Sequence, residues 1–330
     1  MPDPTISKKQ NLVHDESRPA FTQVPAVVKK VFDFFPLVQY PPAPRPSSCI
    51  FPDNEGKIGT VFVHDISSDS IYPSTLSLLT ILKLAGLASS FLIIPVSAHA
   101  SVQASSITQV SVPYIRFDTP DLVIKSRTLS PQSSVTFGKW LASAAPDFPQ
   151  QQQKQKQQHA ASGAVLLSLI EVNIGDAFLA SFYADRTTFD SAVLPALASA
   201  YTGGDDTTGS LIPFAQGFLA RRDVINQIHR STGTTSSASS SWWPGSKASV
   251  PSVEVLYKAA DALDALDVLL QQHDFLSGID DRPGIADATL FAYVWPVIRH
   301  GAPDTELRRI IENRPRILNL VRSVYERAWK

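Results

Sequence analysis

The sequence predicts a two-part fold, a small α/β unit followed by an all-helical one. Three observations predict it. Residues 59–129 alternate short β-branched runs with a helix opened by proline, apolar positions beyond residue 160 recur at helical spacing, and a glutamine-rich stretch at 150–159 separates the two. A chain of 330 residues, 44% of them hydrophobic, is long and apolar enough to build a core for each.

The first strand is predicted at Thr60-Val61-Phe62-Val63-His64, with a polar turn at 67–70 after it. Pro73 stands where a helix begins, since a first-turn residue has no use for its N–H. Ser74 and Thr75 fill the first turn, Leu76, Leu79, Leu82 and Leu84 give the apolar face, and Gly86 supplies the C-terminal cap. Phe91-Leu92-Ile93-Ile94-Pro95 predicts the next strand. Residues 76–96 together have the length of a bilayer span, but Lys83, Gly86, the Ser89-Ser90 pair and Pro95 interrupt them. A helix ending at Gly86 and a strand ending at Pro95 account for the stretch without a membrane.

Val110-Ser111-Val112-Pro113-Tyr114-Ile115-Arg116-Phe117 alternates around a proline, which inside a strand pattern belongs at an edge, a bulge or a cis bond. Residues 118–121 predict the turn and Leu122-Val123-Ile124 the returning strand. In the second half Val165, Leu166, Leu169, Ile170 and Val172, then Ala177, Phe178 and Phe182, follow one helical stripe. Val253, Leu256, Ala260, Leu263, Leu266 and Leu270 follow another, opened by Pro251 and closed near Gly278.

Three low-complexity segments cannot bury enough apolar surface to offset their ordering entropy. The predicted organisation is a tail at 1–20, an aromatic and proline-rich strap at 21–58, the α/β domain at 59–146, a Gln-rich linker at 147–160 and the helical domain at 161–330. A Ser/Thr-rich loop at 231–250, around Trp242-Trp243-Pro244, lies within the last. Phe32, Phe34, Phe35 and Tyr40 make the strap unusually aromatic, either as packing over the protein's own core or as a docking surface for a partner.

A net charge of -1 gives no bulk attraction to phosphate backbones, which excludes nucleic acid as an expected partner. A single cysteine forms no intramolecular disulfide, and none of the asparagines opens an N-x-Ser/Thr sequon, so a reducing, cytosol-facing location is expected. The first sixteen residues are polar and carry Asp3, Asp15 and Glu16, unlike a secretory signal or an Arg-rich presequence. Seven scattered histidines show no metal-ligand spacing, and no metal or cofactor is expected. Gly204 to Ser210 has phosphate-loop spacing, but it lacks the lysine and holds two carboxylates. His99, among small residues, is expected as a turn residue.

The order strand, helix, strand, proline-bearing hairpin, helix resembles the thioredoxin-like domain of glutathione transferases. Gly278-Ile279-Asp280-Asp281-Arg282-Pro283-Gly284-Ile285-Ala286-Asp287 resembles the folding motif in the helical domain of glutathione transferases and metaxins. In that motif a Ser or Thr caps a buried helix, and an Asp three positions on reaches back to the cap's N–H. Asp287 keeps the second half, while Gly284 has no side-chain oxygen, a loss of only about a few tenths of a kcal/mol. Pro113, Gly284 and Asp287 are therefore expected in structural roles.

Val24-Pro25, then Val31-Phe32-Asp33-Phe34-Phe35-Pro36-Leu37-Val38-Gln39-Tyr40-Pro41-Pro42, is similar to the amino-terminal signature of the fungal metaxin-like receptors of the mitochondrial sorting and assembly machinery. Pro73-Ser74-Thr75-Leu76, Leu84-Ala85-Gly86-Leu87, Ala98-His99-Ala100-Ser101, Val112-Pro113-Tyr114-Ile115 and Asp176-Ala177-Phe178-Leu179 match the same family in order. The resemblance implies a peripheral protein on the cytosolic face of the mitochondrial outer membrane. Its partners would be the barrel subunit of that machinery, a second metaxin-like subunit and β-barrel precursors, whose carboxy-terminal β-signal it helps recognise.

It also implies no enzyme and no catalytic residue. A working glutathione transferase needs a hydroxyl or thiol by the first helix, which Ser74 or Thr75 could supply, and a proline such as that of Val112-Pro113. Where its γ-glutamyl site usually has Glu or Gln before Ser, this chain has Lys125-Ser126, a like charge facing the glutathione ammonium. The metaxin-type cysteine is replaced by Thr75, and the Gln linker and Ser/Thr loop look like insertions. For a β-signal added as an extra strand, the candidate edges are the Thr60 to His64 side and Leu122 to Ile124. The second is preferred because Lys125 and Arg127 flank it, making Val123 and Lys125 candidate partner-binding residues.

Overall fold

The computed structural model describes residues 56–95, 113–117, 128–129, 134–148, 160–196, 252–276 and 282–330, together with positions 221, 224 and 228. All of them belong to one compact unit, Asn54–Lys330.

Four strands form one sheet in the order β2-β1-β3-β4. The first, β1 (Gly59–Val63), is buried at every position, as a strand covered on both faces must be. It pairs parallel with β2 (Phe91–Pro95), from Gly59 opposite Phe91 to Val63 opposite Pro95. On its other side it pairs antiparallel with β3 (Tyr114–Phe117), Val61 facing Ile115. Beyond β3 lies β4 (Thr128–Leu129), with Leu129 opposite Ile115. The Thr60 to His64 side therefore offers no edge, because β2 and β3 occupy both of its flanks. Among the described residues the outer strands are β2 and β4. The expected return strand at Leu122 to Ile124 lies outside the described residues, as do 110–112. Pro113 is buried and immediately precedes β3, where its missing N–H removes no ladder bond.

A parallel pair needs a crossover, and α1 (Pro73–Leu84) supplies it between β1 and β2. Pro73 opens it, and the first helical bond runs from the Leu76 N–H to the Tyr72 carbonyl at 3.0 Å. At the other end the Leu87 N–H donates to the Leu82 carbonyl at 2.8 Å and the Gly86 N–H to that of Lys83 at 3.0 Å. This closure puts Gly86 at φ +70, a conformation glycine adopts without penalty. A short 3-10 turn, Ala88–Ser90, leads into β2, so residues 76–96 form helix, turn and strand. On the same face of the sheet as α1, α2 (Ser134–Ala144) brings Trp140 against Phe91, Phe117 and Phe137, and these rings join Val61, Ile115, Leu78 and Leu82 in the α/β core.

The helical half opens with α3 (Ala160–Ser168), which runs on through a wide turn, Leu169–Ile174, into α4 (Gly175–Leu179). There the Gly175 N–H reaches back five residues to the Ile170 carbonyl. A second wide turn, Ala180–Ala184, is followed by Asp185, whose carboxylate accepts the Thr188 N–H at 2.8 Å and its hydroxyl at 2.6 Å. After these come α5 (Ser252–Leu269), α6 (Ile285–His300), α7 (Glu306–Glu312) and α8 (Pro315–Trp329).

Both predicted stripes need correction. Ile170, Ala177, Phe178 and Phe182 are buried as expected, but Val165 and Val172 are 63% and 51% exposed. Each wide turn adds a fraction of a turn, so a stripe counted at constant spacing across it leaves the buried face. On α5 the buried face is Val255, Ala259, Ala262, Leu263 and Leu266, with Leu270 buried just beyond its end, while Val253 is exposed and Leu256 and Ala260 are half-buried. Alanines carry much of that contact, and a count weighted to large residues misses them. The helix also stops at Leu269, well before Gly278, which lies outside the described residues.

By length and composition Gly163–Tyr183 is apolar enough to cross a membrane. In the fold, its residues Ile170, Ile174, Ala177, Phe178 and Phe182 are buried in the helical core.

The two halves interlock. Ile71 and Leu76, from the α1 region, belong to the helical core, and Ala288 of α6 belongs to the α/β core. Polar ties run along the same seam. Arg299 grips both oxygens of Asp69, at 3.2 and 3.3 Å, and the His300 ring nitrogen lies 2.7 Å from the Asp69 carbonyl oxygen. The hydroxyls of Ser77 and Thr289 meet at 3.4 Å.

Candidate functional site

The turn from β1 into α1 follows the carboxyl end of a central strand, and within it the Ser67, Asp69 and Tyr72 N–H groups donate to the side chains of Asp65, Ser67 and Ser70. His64 is the first residue after β1. Its N–H faces the Thr75 hydroxyl oxygen at 3.5 Å, and its ring lies 4.7 Å from that of Tyr72. Burial pushes the imidazole below its ordinary value, so it is neutral at neutral pH. Its Nδ1 is buried with no hydrogen-bond partner among the described residues. Next to these, Tyr114 stacks on Phe62 at 4.8 Å, and burial raises its phenol.

The hydroxyls of the first helical turn differ in access. Thr75 is 0% exposed, while Ser74 is exposed. A hydroxyl that stabilises a thiolate has to reach the ligand, so Ser74 is the one positioned to meet solvent-borne chemistry. Thr75 is directed into the fold. The run Thr60 to His64 predicts His64 as the last strand residue, whereas β1 ends at Val63. The signal available was its place between a buried run and a helix start.

A second buried polar centre holds the start of α6. Asp287 is 0% exposed, and its two oxygens accept the Leu276 N–H at 2.7 Å and the Gly284 N–H at 2.8 Å. Gly284, in extended backbone, contributes its carbonyl to the Ala288 N–H at 3.1 Å and nothing from a side chain. One carboxylate thus ties the end of the loop after α5 to the first turn of α6. A negative charge at a helix N-terminus is also favoured by the helix dipole. The role is architectural.

Of the residues singled out for partner binding, Phe32, Phe34, Phe35, Tyr40, Val123 and Lys125 lie outside the described residues, and so do His99, Ser126 and Trp242-Trp243. Pro113, Gly284 and Asp287 are described and buried.

Residues 259–324 match the family model of the glutathione S-transferase C-terminal domain. No curated protein matches the chain. Among solved structures, glutathione transferase GSTFuA3 from Phanerochaete chrysosporium superposes with a TM-score of 0.52 at 11% identity, over 83% of this chain and 98% of that one. A glutathione transferase family member from Pseudomonas fluorescens pf-5, solved with two glutathione bound, gives 0.48 at 13% identity over 84% and 95%. The chain has a glutathione-transferase-like fold, with a thioredoxin-like first half and a helical second half.

Proposed function

We propose that this glutathione-transferase-like chain works as a non-enzymatic adaptor of the mitochondrial outer-membrane sorting and assembly machinery, on the cytosolic face. The observation that carries the non-enzymatic part is the complete burial of Thr75 against the His64 backbone. It takes the place of the metaxin-type cysteine, and its side chain is 0% exposed. The assembly part draws on the metaxin-like signatures at 24–42 and 73–115. In this reading the partners are the barrel subunit, a second metaxin-like subunit and β-barrel precursors. A precursor's β-signal would dock near Val123 and Lys125, and the aromatic strap at Phe32, Phe34, Phe35 and Tyr40 would face a partner subunit. The membrane is contacted peripherally.

Affinity purification of the chain from mitochondria tests this directly: the barrel subunit is expected to co-purify, and alkaline carbonate is expected to release the chain from outer membranes. Crosslinkers at Val123 and Lys125 are expected to capture a β-signal peptide and to lose it when an apolar residue of the signal is made polar. The competing reading, a soluble glutathione-transferase-like enzyme, draws on exposed Ser74 at the helix start. Saturable conjugation of glutathione to an electrophile, abolished by Ser74→Ala, together with no co-purifying barrel subunit, would overturn the adaptor reading.

A further inference from the structure

We draw no further inference here: the strongest candidate, the outer face of α5 with Val253, Tyr257 and Val268 exposed, carries nothing, because its acids Glu254 and Asp264 are already paired with Lys258 and Arg314 and nothing in the structure shows what covers it.

Discussion

The indole N–H of Trp329 donates to the hydroxyl oxygen of Thr80 at 3.1 Å, joining the last helix to the first across 249 positions of the chain. Thr80 is 0% exposed, so water cannot replace the donor. Trp329→Phe is expected to cost about 1–2 kcal/mol in urea unfolding. Thr80→Val made in the Trp329→Phe background should cost less than in the wild type, because the pair is already broken. Additive costs would show that the two do not interact.

Asp287→Ala leaves the Leu276 and Gly284 N–H groups without an acceptor in a dry setting. A loss of about 2–4 kcal/mol is expected from thermal or denaturant unfolding. Asp287→Asn keeps an acceptor for one of them and should recover part of the loss. A loss under about 0.5 kcal/mol for the alanine variant would contradict the assigned role.

His64 gives stability a pH dependence. Its folded pKa lies below the ordinary 6.5 because burial disfavours the charged ring. The unfolded chain therefore binds the proton first as pH falls. The stabilising contribution is present above about 6.5 and is lost as pH drops through the lower, folded value. Unfolding free energies followed downward from neutral pH should show that decline, and His64→Gln should flatten it.

Two glycines separate conformational from steric cost. At Gly86 a Cβ meets nothing within 4 Å, so Gly86→Ala should lose only the positive-φ penalty, about 1 kcal/mol, and Gly86→Asn less. At Gly59 a Cβ would fall 2.3 Å from the Arg116 carbonyl oxygen. Gly59→Ala must part β1 from β3 and should cost more than either, as read from Tm.

The punctuated elements were the legible ones. Pro73 and Gly86 bracket α1, and Phe91 to Pro95 is β2, because proline, glycine and β-branched runs act locally. What the local pattern leaves open is pairing. The apolar run Val61-Phe62-Val63 in β1 is consistent with a central strand, yet only β2 and β3, both distant in sequence, make it one. The seam was invisible for the same reason, since Asp69 and Arg299 stand 230 positions apart. The helical stripes slipped where wide turns change the period and where alanines replace larger contacts. At the candidate site Asp287 was recognisable from its spacing to Gly284, whereas the importance of His64 depends on the Tyr72 ring that folding brings beside it.

Ile71 and Leu76 sit in a core built mostly by the second half, and Ala288 in a core built by the first. Neither half can therefore complete its interior alone. Removing residues beyond 160 would wet two aliphatic side chains of the α1 region and strip the donor from Thr80, so the shorter piece is expected to be molten. The intact unit is expected to unfold in a single cooperative transition, with the seam melting together with both cores. Relative motion of the halves is correspondingly unavailable as a way of opening the molecule, and any partner has to be met by a surface already formed.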